Sequence, residues 1–285
     1  MPRSVDTNYP PDVVAASHSG LLELVRCLQS YRDVMVLVGG WVPYLLLRDH
    51  PPASGEFHHV GSVDIDLAID PARVPESEYA TIQRLILERG WELVRQEGVL
   101  YRYHKMIRRT RDESPKDIAV DFLISPESAD GDHRHRRIQG DFRARVSDEI
   151  PVAMRHRTRV ELAGFLPDDG GATRSSVAMA DVVGCVGMKS LVLNARQKEK
   201  DAYDVYAVLE NYGSGPREVA TAFRPFAAEP LLSEGLLILQ EKFETPRAEG
   251  PRSVANFFTA EQGEAHERRA VRAYQTVRTF LEAVR

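Results

Sequence analysis

The chain has 285 residues, 43% hydrophobic and 28% charged, which is typical of globular proteins and long enough for two modest domains. A formal net charge of -5 excludes a uniformly basic nucleic-acid binder but leaves room for a local basic patch. Two cysteines do not make a disulfide framework, and no apolar run reaches the roughly 18 residues of a membrane span. The N-terminal stretch lacks the apolar core of a signal peptide, so these features together predict a cytoplasmic protein.

The front half of the chain alternates predicted helices and strands. Apolar residues at helical spacing predict helices over 14–30, 41–49 and 76–90. Short apolar or alternating runs predict strands in the sequences VMVLVGG, SVDIDLAID, WELVRQ, VLYRYHKMIR and KDIAVDFLIS. The stretch MRHRTRVELAGF predicts a strand pair or a hairpin, and LPDDGGATRSS has the composition of a linker.

The back half of the chain is predicted to be helical. Its predicted helices are 177–196, 199–212, 216–225, 229–243 and 260–284. A front half with strands and a helical back half predict an α+β protein in which a mixed sheet with helices is followed by a helical C-terminal domain. We place the boundary near residue 170, which gives predicted domains over 1–170 and 171–285.

Two aspartates interrupt the predicted strand in HHVGSVDIDLAID, residues 58–70. Asp64 and Asp66 share one side of this strand, about 7 Å apart by strand geometry, although strands disfavour aspartate. In KDIAVDFLIS the alternation places Asp121 opposite an apolar face formed by Ile118, Val120, Phe122 and Ile124. If the two strands pair in one sheet, three carboxylates converge on one face.

Three converging carboxylates need a cation to offset their repulsion. Carboxylate oxygens are hard ligands that suit Mg²⁺ or Mn²⁺, and the chain offers no thiolate cluster for zinc. Magnesium completed by substrate phosphates is typical of phosphoryl and nucleotidyl transfer. The alternatives at this point are a calcium site and an edge strand kept soluble by its charges. Asp70 is predicted to cap the following turn and not to join the site.

Gly39 and Gly40 end a predicted strand just before a predicted helix. Without side chains they allow backbone N–H groups to approach a phosphate at a helix N-terminus, although a tight turn explains a glycine pair equally well. Ser62 stands two residues before Asp64, where its hydroxyl could donate to a triphosphate.

This combination resembles the signature of the nucleotidyltransferase superfamily, in which a strand-terminal glycine motif precedes a D-x-D strand and a third carboxylate follows. The residues that carry the resemblance are Gly39, Gly40, Ser62, Asp64, Asp66 and Asp121. The resemblance implies a nucleotidyltransferase-fold mixed sheet, an NTP substrate, and Mg²⁺ or Mn²⁺ held by the three aspartates.

A second motif lies on two predicted helices of the back half, in DVVGCVGMKSLVLNARQKEKDAYDVYAVLENY. Helical periodicity places Lys189 and Arg196 on one face and makes Asp201 and Asp204 neighbours. Taken alone, these charges would indicate an interhelical ion pair, which is worth little when exposed. Together with the front motif they resemble the AbiEii/AbiGii-type toxin nucleotidyltransferases, over roughly residues 34–212.

That family resemblance implies a toxin of a toxin–antitoxin or phage-defence pair, with a cognate antitoxin as partner. Relatives use an NTP and Mg²⁺ to add nucleotides to an RNA acceptor, in some cases the 3′ end of tRNA. By the same resemblance Lys189 and Arg196 bind the nucleotide, and Asp201 orients Lys189 or acts near the acceptor. Asp121 assists activation of the acceptor hydroxyl.

The chain departs from the family pattern because no arginine stands just before Asp64, and we suggest Arg48 or His59 as substitutes. Residues 101–159 hold 14 Lys/Arg against 10 Asp/Glu, which suits an RNA backbone, with Tyr101 or Tyr103 for base stacking. A solvated arginine-rich surface explains this stretch equally well.

Two rival functions remain open, namely a small-molecule nucleotidyltransferase of the aminoglycoside-modifying type and a non-catalytic module that binds a nucleotide or a protein partner.

Overall fold

The computed structural model describes residues 8–53, 55, 57–74, 81–96, 99–128, 135–139, 142–196, 198–259 and 261–285. The described residues form two compact units, each assembled from segments that are distant in sequence. We call the unit made of Pro10–Trp41 and Gly61–Ala180 the sheet unit. The helical unit consists of Val42–Val60 and Asp181–Arg285, together with the described end of Met1–Tyr9.

The sheet unit is built on a mixed sheet whose main path has the strand order β3-β4-β5-β2-β1-β9-β8. Its strands are β1 (Met35–Val38), β2 (Ile65–Ile69), β3 (Glu92–Leu93), β4 (Arg102–Ile107), β5 (Lys116–Ile124), β6 (His135–Gln139), β7 (Phe142–Val146), β8 (Arg157–Phe165) and β9 (Ala172–Ala180). β6 and β7 form an antiparallel pair that joins the sheet where β7 runs parallel to β5. β2 also runs parallel to β5, whereas β1 and β4 pair antiparallel with β2 and β5 respectively.

Helix α1 (Pro11–Cys27) packs its apolar side against this sheet and buries Leu21, Leu22, Leu24 and Val25. Full burial of such side chains contributes roughly 1.5–3 kcal/mol each relative to exposure. Gly20 lies on this helix where Ile107 and Trp91 approach so closely that a Cβ atom would meet Ile107 at 2.5 Å. The sheet unit also contains two short helices, α3 (Ile82–Leu87) and α4 (Ile150–Arg155).

The helical unit contains most of helix α2 (Trp41–Asp49) and six later helices. These are α5 (Val182–Ala195), α6 (Glu199–Asn211), α7 (Pro216–Phe223), α8 (Pro230–Lys242), α9 (Glu249–Phe258) and α10 (Glu264–Val284). α5 is apolar on nearly all sides and is accordingly buried along most of its length, as expected for a central helix. Part of the core is a cluster of Leu47, Tyr203, Ala207 and Phe257, in which the Tyr203 and Phe257 rings stack with centroids 4.1 Å apart.

The predicted α+β class is confirmed, with a mixed sheet followed by a helical C-terminal region. The five strands predicted in the front half are present, and of the helix predicted over 76–90 the described part is Ile82–Leu87, since residues 75–80 lie outside the described residues. Within the described ranges, no helix combines the length and the apolar character that a bilayer crossing requires.

The predictions around residue 170 differ from the structure. The predicted linker LPDDGGATRSS ends inside β9, and β9 pairs antiparallel with β8 along its whole length. The helix predicted from residue 177 therefore begins only at Val182, after the Asp181 side chain accepts a hydrogen bond from the Gly184 backbone N–H. The compact units divide at Ala180 and not at 170, and the segment Val42–Val60 joins the helical unit.

Candidate active site

Asp66 and Asp121 are direct neighbours across two parallel strands. In the β2–β5 pairing Asp66 is in register with Asp121, so both side chains lie on the same face of the sheet. Asp64 lies just before β2, which begins at Ile65, and its Oδ1 accepts a hydrogen bond of 2.8 Å from Ser62 Oγ. Asp121 is 6% exposed, whereas the two earlier aspartates are half-buried. The structure thus places Asp66 and Asp121 side by side on one face of the sheet, with Asp64 two residues before Asp66 in the chain.

Arg102 on β4 binds the third of these aspartates. It is in register with Asp121 in the β4–β5 pairing, and its Nε and Nη2 donate to the two carboxylate oxygens at 2.5 and 2.7 Å. The hydrogen bonds to Asp121 raise the pKa of Arg102, and the charge of Asp64 raises it further. Sequence reasoning did not assign Arg102 a role.

The two substitutes suggested for the absent family arginine bind other partners. Arg48 donates to Asp49 at 2.6 and 3.0 Å, and His59 contacts Asp204 within the helical unit. Arg102 is instead the arginine that binds the carboxylate face of the sheet unit. The signal that could have identified it is the alternation in YRYHKMIR, which places Arg102, His104 and Met106 on one side of β4.

The Asp66 carboxylate lies so close to residue 39 that only glycine fits at this position. Gly39 adopts a φ of +72°, which L side chains rarely adopt, and a Cβ atom there would lie 1.9 Å from Asp66 Oδ2. The predicted strand–Gly–Gly–helix order is present, since β1 ends at Val38 and α2 begins at Trp41, directly after Gly40. Trp41 is 1% exposed and donates its indole N–H to Ser17 Oγ, so it packs in the core of the sheet unit.

A divalent cation fits the donor chemistry of Asp64, Asp66 and Asp121 because all three offer hard carboxylate oxygens. Among the described residues no group of three or more His, Cys, Asp or Glu is arranged to hold a metal ion. In this structure Arg102 binds both oxygens of Asp121, and Ser62 donates to Asp64. The donor set therefore suits Mg²⁺, with its third carboxylate neutralised by an internal guanidinium in this structure.

The back-half motif forms a buried ion network in the helical unit. Lys189 on α5 lies 2.8 Å from Asp201 and 2.7 Å from Asp204, both on α6. Arg196 donates to both oxygens of Asp201 at 2.8 and 3.2 Å, and Lys200 donates to Asp204 at 2.5 Å. Asp201 and Asp204 are 1% and 0% exposed. Three cationic side chains thus surround two buried carboxylates.

Electrostatic attraction outweighs the cost of burial at Lys189 and at Asp204. Burial opposes the charge of Lys189, but Asp204 and Asp201 attract it more strongly and raise the pKa of Lys189. Burial likewise opposes the charge of Asp204, but Lys189 and Lys200 lower its pKa overall. Lys189, Asp201 and Asp204 therefore stay ionised, whereas at Lys200 burial outweighs the attraction of Asp204 and lowers the pKa. The network is an interhelical structural element whether or not it also contacts a ligand.

His59 completes the network as a neutral partner and makes the helical unit sensitive to acid. Its Nε2 donates to the ionised Asp204 at 3.0 Å, and burial together with the charge of Lys200 lowers the pKa of His59 to about 4. Between pH 6.5 and pH 4 the unfolded chain binds a proton at His59 that the folded chain does not. The free energy of unfolding should therefore fall as pH falls through this window, by up to about 1.4 kcal/mol per pH unit.

We expect His59→Gln to reduce this pH slope, measured from urea unfolding followed by circular dichroism at 222 nm between pH 4 and 6.5. His58→Gln, at the exposed neighbouring position, is the matched control and should leave the slope unchanged. The same slope in His59→Gln and in the unchanged protein would contradict a neutral buried His59.

Several basic side chains of the stretch 101–159 are neutralised by ion pairs in the sheet unit. These ion pairs include Lys105–Glu23, Arg108–Asp168, Arg109–Glu113, Lys116–Asp12 and Arg159–Asp33. Tyr103 is 0% exposed, so its prediction as a base-stacking residue is wrong. Tyr101 is half-buried, and the Arg145 guanidinium lies over its ring, with 5.5 Å between the guanidinium carbon and the centroid of the Tyr101 ring. Residues 129–134, 140 and 141 of this stretch lie outside the described residues.

The predicted site residues therefore fall into two groups, each with its own internal geometry. Gly39, Gly40, Ser62 and the three aspartates belong to the sheet unit, and Lys189, Arg196 and Asp201 belong to the helical unit.

Comparisons with curated proteins and with solved structures give no match. A family model described as "Nucleotidyl transferase AbiEii toxin, Type IV TA system" matches residues 24–283, which include both groups. The chain therefore belongs to the AbiEii family of nucleotidyl transferase toxins.

Proposed function

We propose that this protein is a Mg²⁺-dependent nucleotidyltransferase that transfers an NMP group from an NTP to an RNA acceptor, and that it is the toxin of a toxin–antitoxin or phage-defence pair. The observation that carries the proposal is the register of Asp66 with Asp121 in a member of a nucleotidyl transferase family. A cognate antitoxin is the expected protein partner. NTPs and RNA are both available in the cytoplasm, which agrees with the predicted location.

The proposed reaction forms one bond and breaks one. A hydroxyl oxygen of the acceptor attacks the α-phosphorus of the NTP, the bond from that phosphorus to the bridging oxygen of the β-phosphate breaks, and pyrophosphate leaves. The hydroxyl proton passes to solvent, and Asp121 assists the activation of this hydroxyl. A Mg²⁺ ion held by Asp64, Asp66 and Asp121 would supply charge neutralisation at the phosphates.

Each unit offers its own groups for nucleotide binding in this proposal. Ser62 offers a hydroxyl beside Asp64, and Gly39 leaves the space that the Asp66 carboxylate occupies. In the helical unit, the Arg196 side chain is 42% exposed and the Lys189 side chain only 8%. This difference in exposure favours Arg196 over Lys189 as a direct contact for a phosphate. Lys189 is buried and shares Asp201 with Arg196 as a hydrogen-bond acceptor. Asp201 orients both cations through its two oxygens.

A second candidate function is nucleotidyl transfer to a small molecule. The pairing of the basic side chains with carboxylates favours it, because a neutralised surface attracts an RNA backbone less strongly. In this case the chemistry at the three aspartates is the same and only the acceptor differs.

The acceptor can be identified with α-labelled NTPs, offered one at a time with Mg²⁺ to the purified full chain. Total RNA, purified tRNA, an aminoglycoside panel and the product of any small neighbouring reading frame are the acceptors. We expect labelled RNA, with tRNA as the first species to test. Label found solely on an aminoglycoside would support the second candidate. NTP binding without transfer to any acceptor would support the non-catalytic binding module and contradict both transfer reactions.

A further inference from the structure

A guanidinium binds both oxygens of the third carboxylate of the proposed metal site. Arg102 and Asp121 are in register on neighbouring strands, and both oxygens of the carboxylate accept from this one side chain at 2.5 and 2.7 Å. Bidentate arginine–carboxylate pairs of this kind are geometrically specific and stronger than neutral hydrogen bonds. The oxygens of Asp121 that a divalent ion would use are therefore already bound.

Arg102 and a divalent cation compete for this carboxylate. A divalent ion in contact with Asp121 would lie within a few ångströms of the guanidinium, where like charges repel strongly at a partly buried site. Asp121 is 6% exposed and fixed in the middle of β5, so it cannot turn away to serve both. The Arg102 side chain is 41% exposed, so it is the partner that can leave.

We propose that Arg102 is an exchangeable counter-ion, which neutralises Asp121 while the site holds no metal and releases it when a divalent cation binds. This proposal rests on the proposed function, in which Asp64, Asp66 and Asp121 hold Mg²⁺. Arg102 prevents the repulsion that three close carboxylates would otherwise suffer. It also lowers the affinity of the site for a free metal ion, since each binding event must break two charge-assisted hydrogen bonds.

Metal affinity without nucleotide separates this role from a structural one. We would titrate Mn²⁺ into the full chain in the absence of NTP and measure the dissociation constant by electron paramagnetic resonance. Arg102→Gln should bind Mn²⁺ at least about tenfold more tightly than the unchanged protein, because the competitor is gone. Arg102→Lys, which keeps the charge but loses the bidentate contact, should show a smaller gain and provides a second readout if the glutamine variant folds poorly.

Two further variants act as controls. Arg108→Gln removes the same charge from the residue after β4, where Arg108 pairs with Asp168 at 2.9 Å, and should leave the Mn²⁺ affinity within about twofold. In the Arg102→Gln/Asp121→Asn double variant the gain should disappear, because the freed carboxylate is no longer there.

The outcomes separate this proposal from the function on which it rests. Equal Mn²⁺ affinity in Arg102→Gln, Arg102→Lys and the unchanged protein, with binding lost in Asp64→Asn/Asp66→Asn, would overturn the counter-ion role and leave the metal site standing. A gain of the same size in Arg108→Gln would also overturn it, since a general charge effect would then suffice. If none of these proteins binds Mn²⁺, both the counter-ion role and the metal-dependent function fail.

Discussion

Replacing Asp64 and Asp66 by asparagine should abolish nucleotidyl transfer while the chain remains folded. Asparagine keeps the shape of the side chain but removes the charge that a divalent cation and its bound phosphates require. Loss of one electrostatic contact in an active site commonly costs 10²–10³-fold in rate, so the double change should cost about 10³-fold or more. Folding should not suffer, because removing two close negative charges relieves repulsion beside Asp121.

The measurement is incorporation of labelled NMP into the acceptor that the unchanged protein uses, with thermal unfolding recorded for each variant. Asp70→Asn is the matched control, because Asp70 lies at the end of the same strand and accepts a hydrogen bond from the Ala72 backbone N–H at 3.2 Å. Asparagine can accept the same bond, so this variant should stay within about threefold of full activity. Undiminished transfer by the double variant would refute the metal-dependent mechanism.

Replacing Asp204 by asparagine should destabilise the helical unit by about 3–5 kcal/mol, the usual cost of removing one partner from a buried ion pair. Asp204 is 0% exposed and lies 2.7 Å from Lys189 and 2.5 Å from Lys200. Without its charge, two buried ammonium groups would have to be accommodated by Asp201 and its neighbours. For a unit of this size, each kcal/mol corresponds to about 2–4 °C in the unfolding midpoint.

Circular dichroism at 222 nm reports mainly on this unit, which contains most of the helical residues, whereas tryptophan fluorescence reports on the sheet unit, which contains both Trp41 and Trp91. Asp49→Asn is the matched control in the same unit, because its pair with Arg48 is exposed and such pairs are worth about 0–1 kcal/mol. A midpoint for Asp204→Asn equal to that of Asp49→Asn would show that the network contributes little to stability.

The sequence was sufficient to predict the side of each strand that its aspartates take, because the alternation of apolar residues fixes that side. The pairing of the two strands was a condition of the prediction, and the structure supplies it by placing β2 beside β5 with Asp66 in register with Asp121. The sequence was not sufficient to find Arg102, because the pairing register of β4 with β5 is set by tertiary contacts. The sequence also did not reveal why residue 39 is a glycine. Its close neighbour is the Asp66 side chain, which belongs to a strand that follows a helix and a loop.

The errors near residue 170 have a related cause. ATRSSVAMA is polar in its first half and follows a glycine-rich turn, which is the composition of a linker. The stretch nevertheless forms a strand because β8 offers it an antiparallel partner along nine paired positions. Helix α9 was not predicted either, although its Phe257 packs against Tyr203 from a distant part of the chain. Pairing and packing partners of this kind override local composition.

The segment Val42–Val60 interrupts the sheet unit in sequence, and this has a consequence for synthesis and for dissection of the protein. His59 emerges from the ribosome long before Asp204, the residue to which it hydrogen-bonds, so the helical unit can be completed only after all of the sheet unit has been synthesised. No single cleavage releases either unit intact. A fragment that begins at Asp181 would retain Lys189 and Asp204 but would lack His59 and Leu47. It would therefore expose the apolar surface of Tyr203 that Leu47 covers.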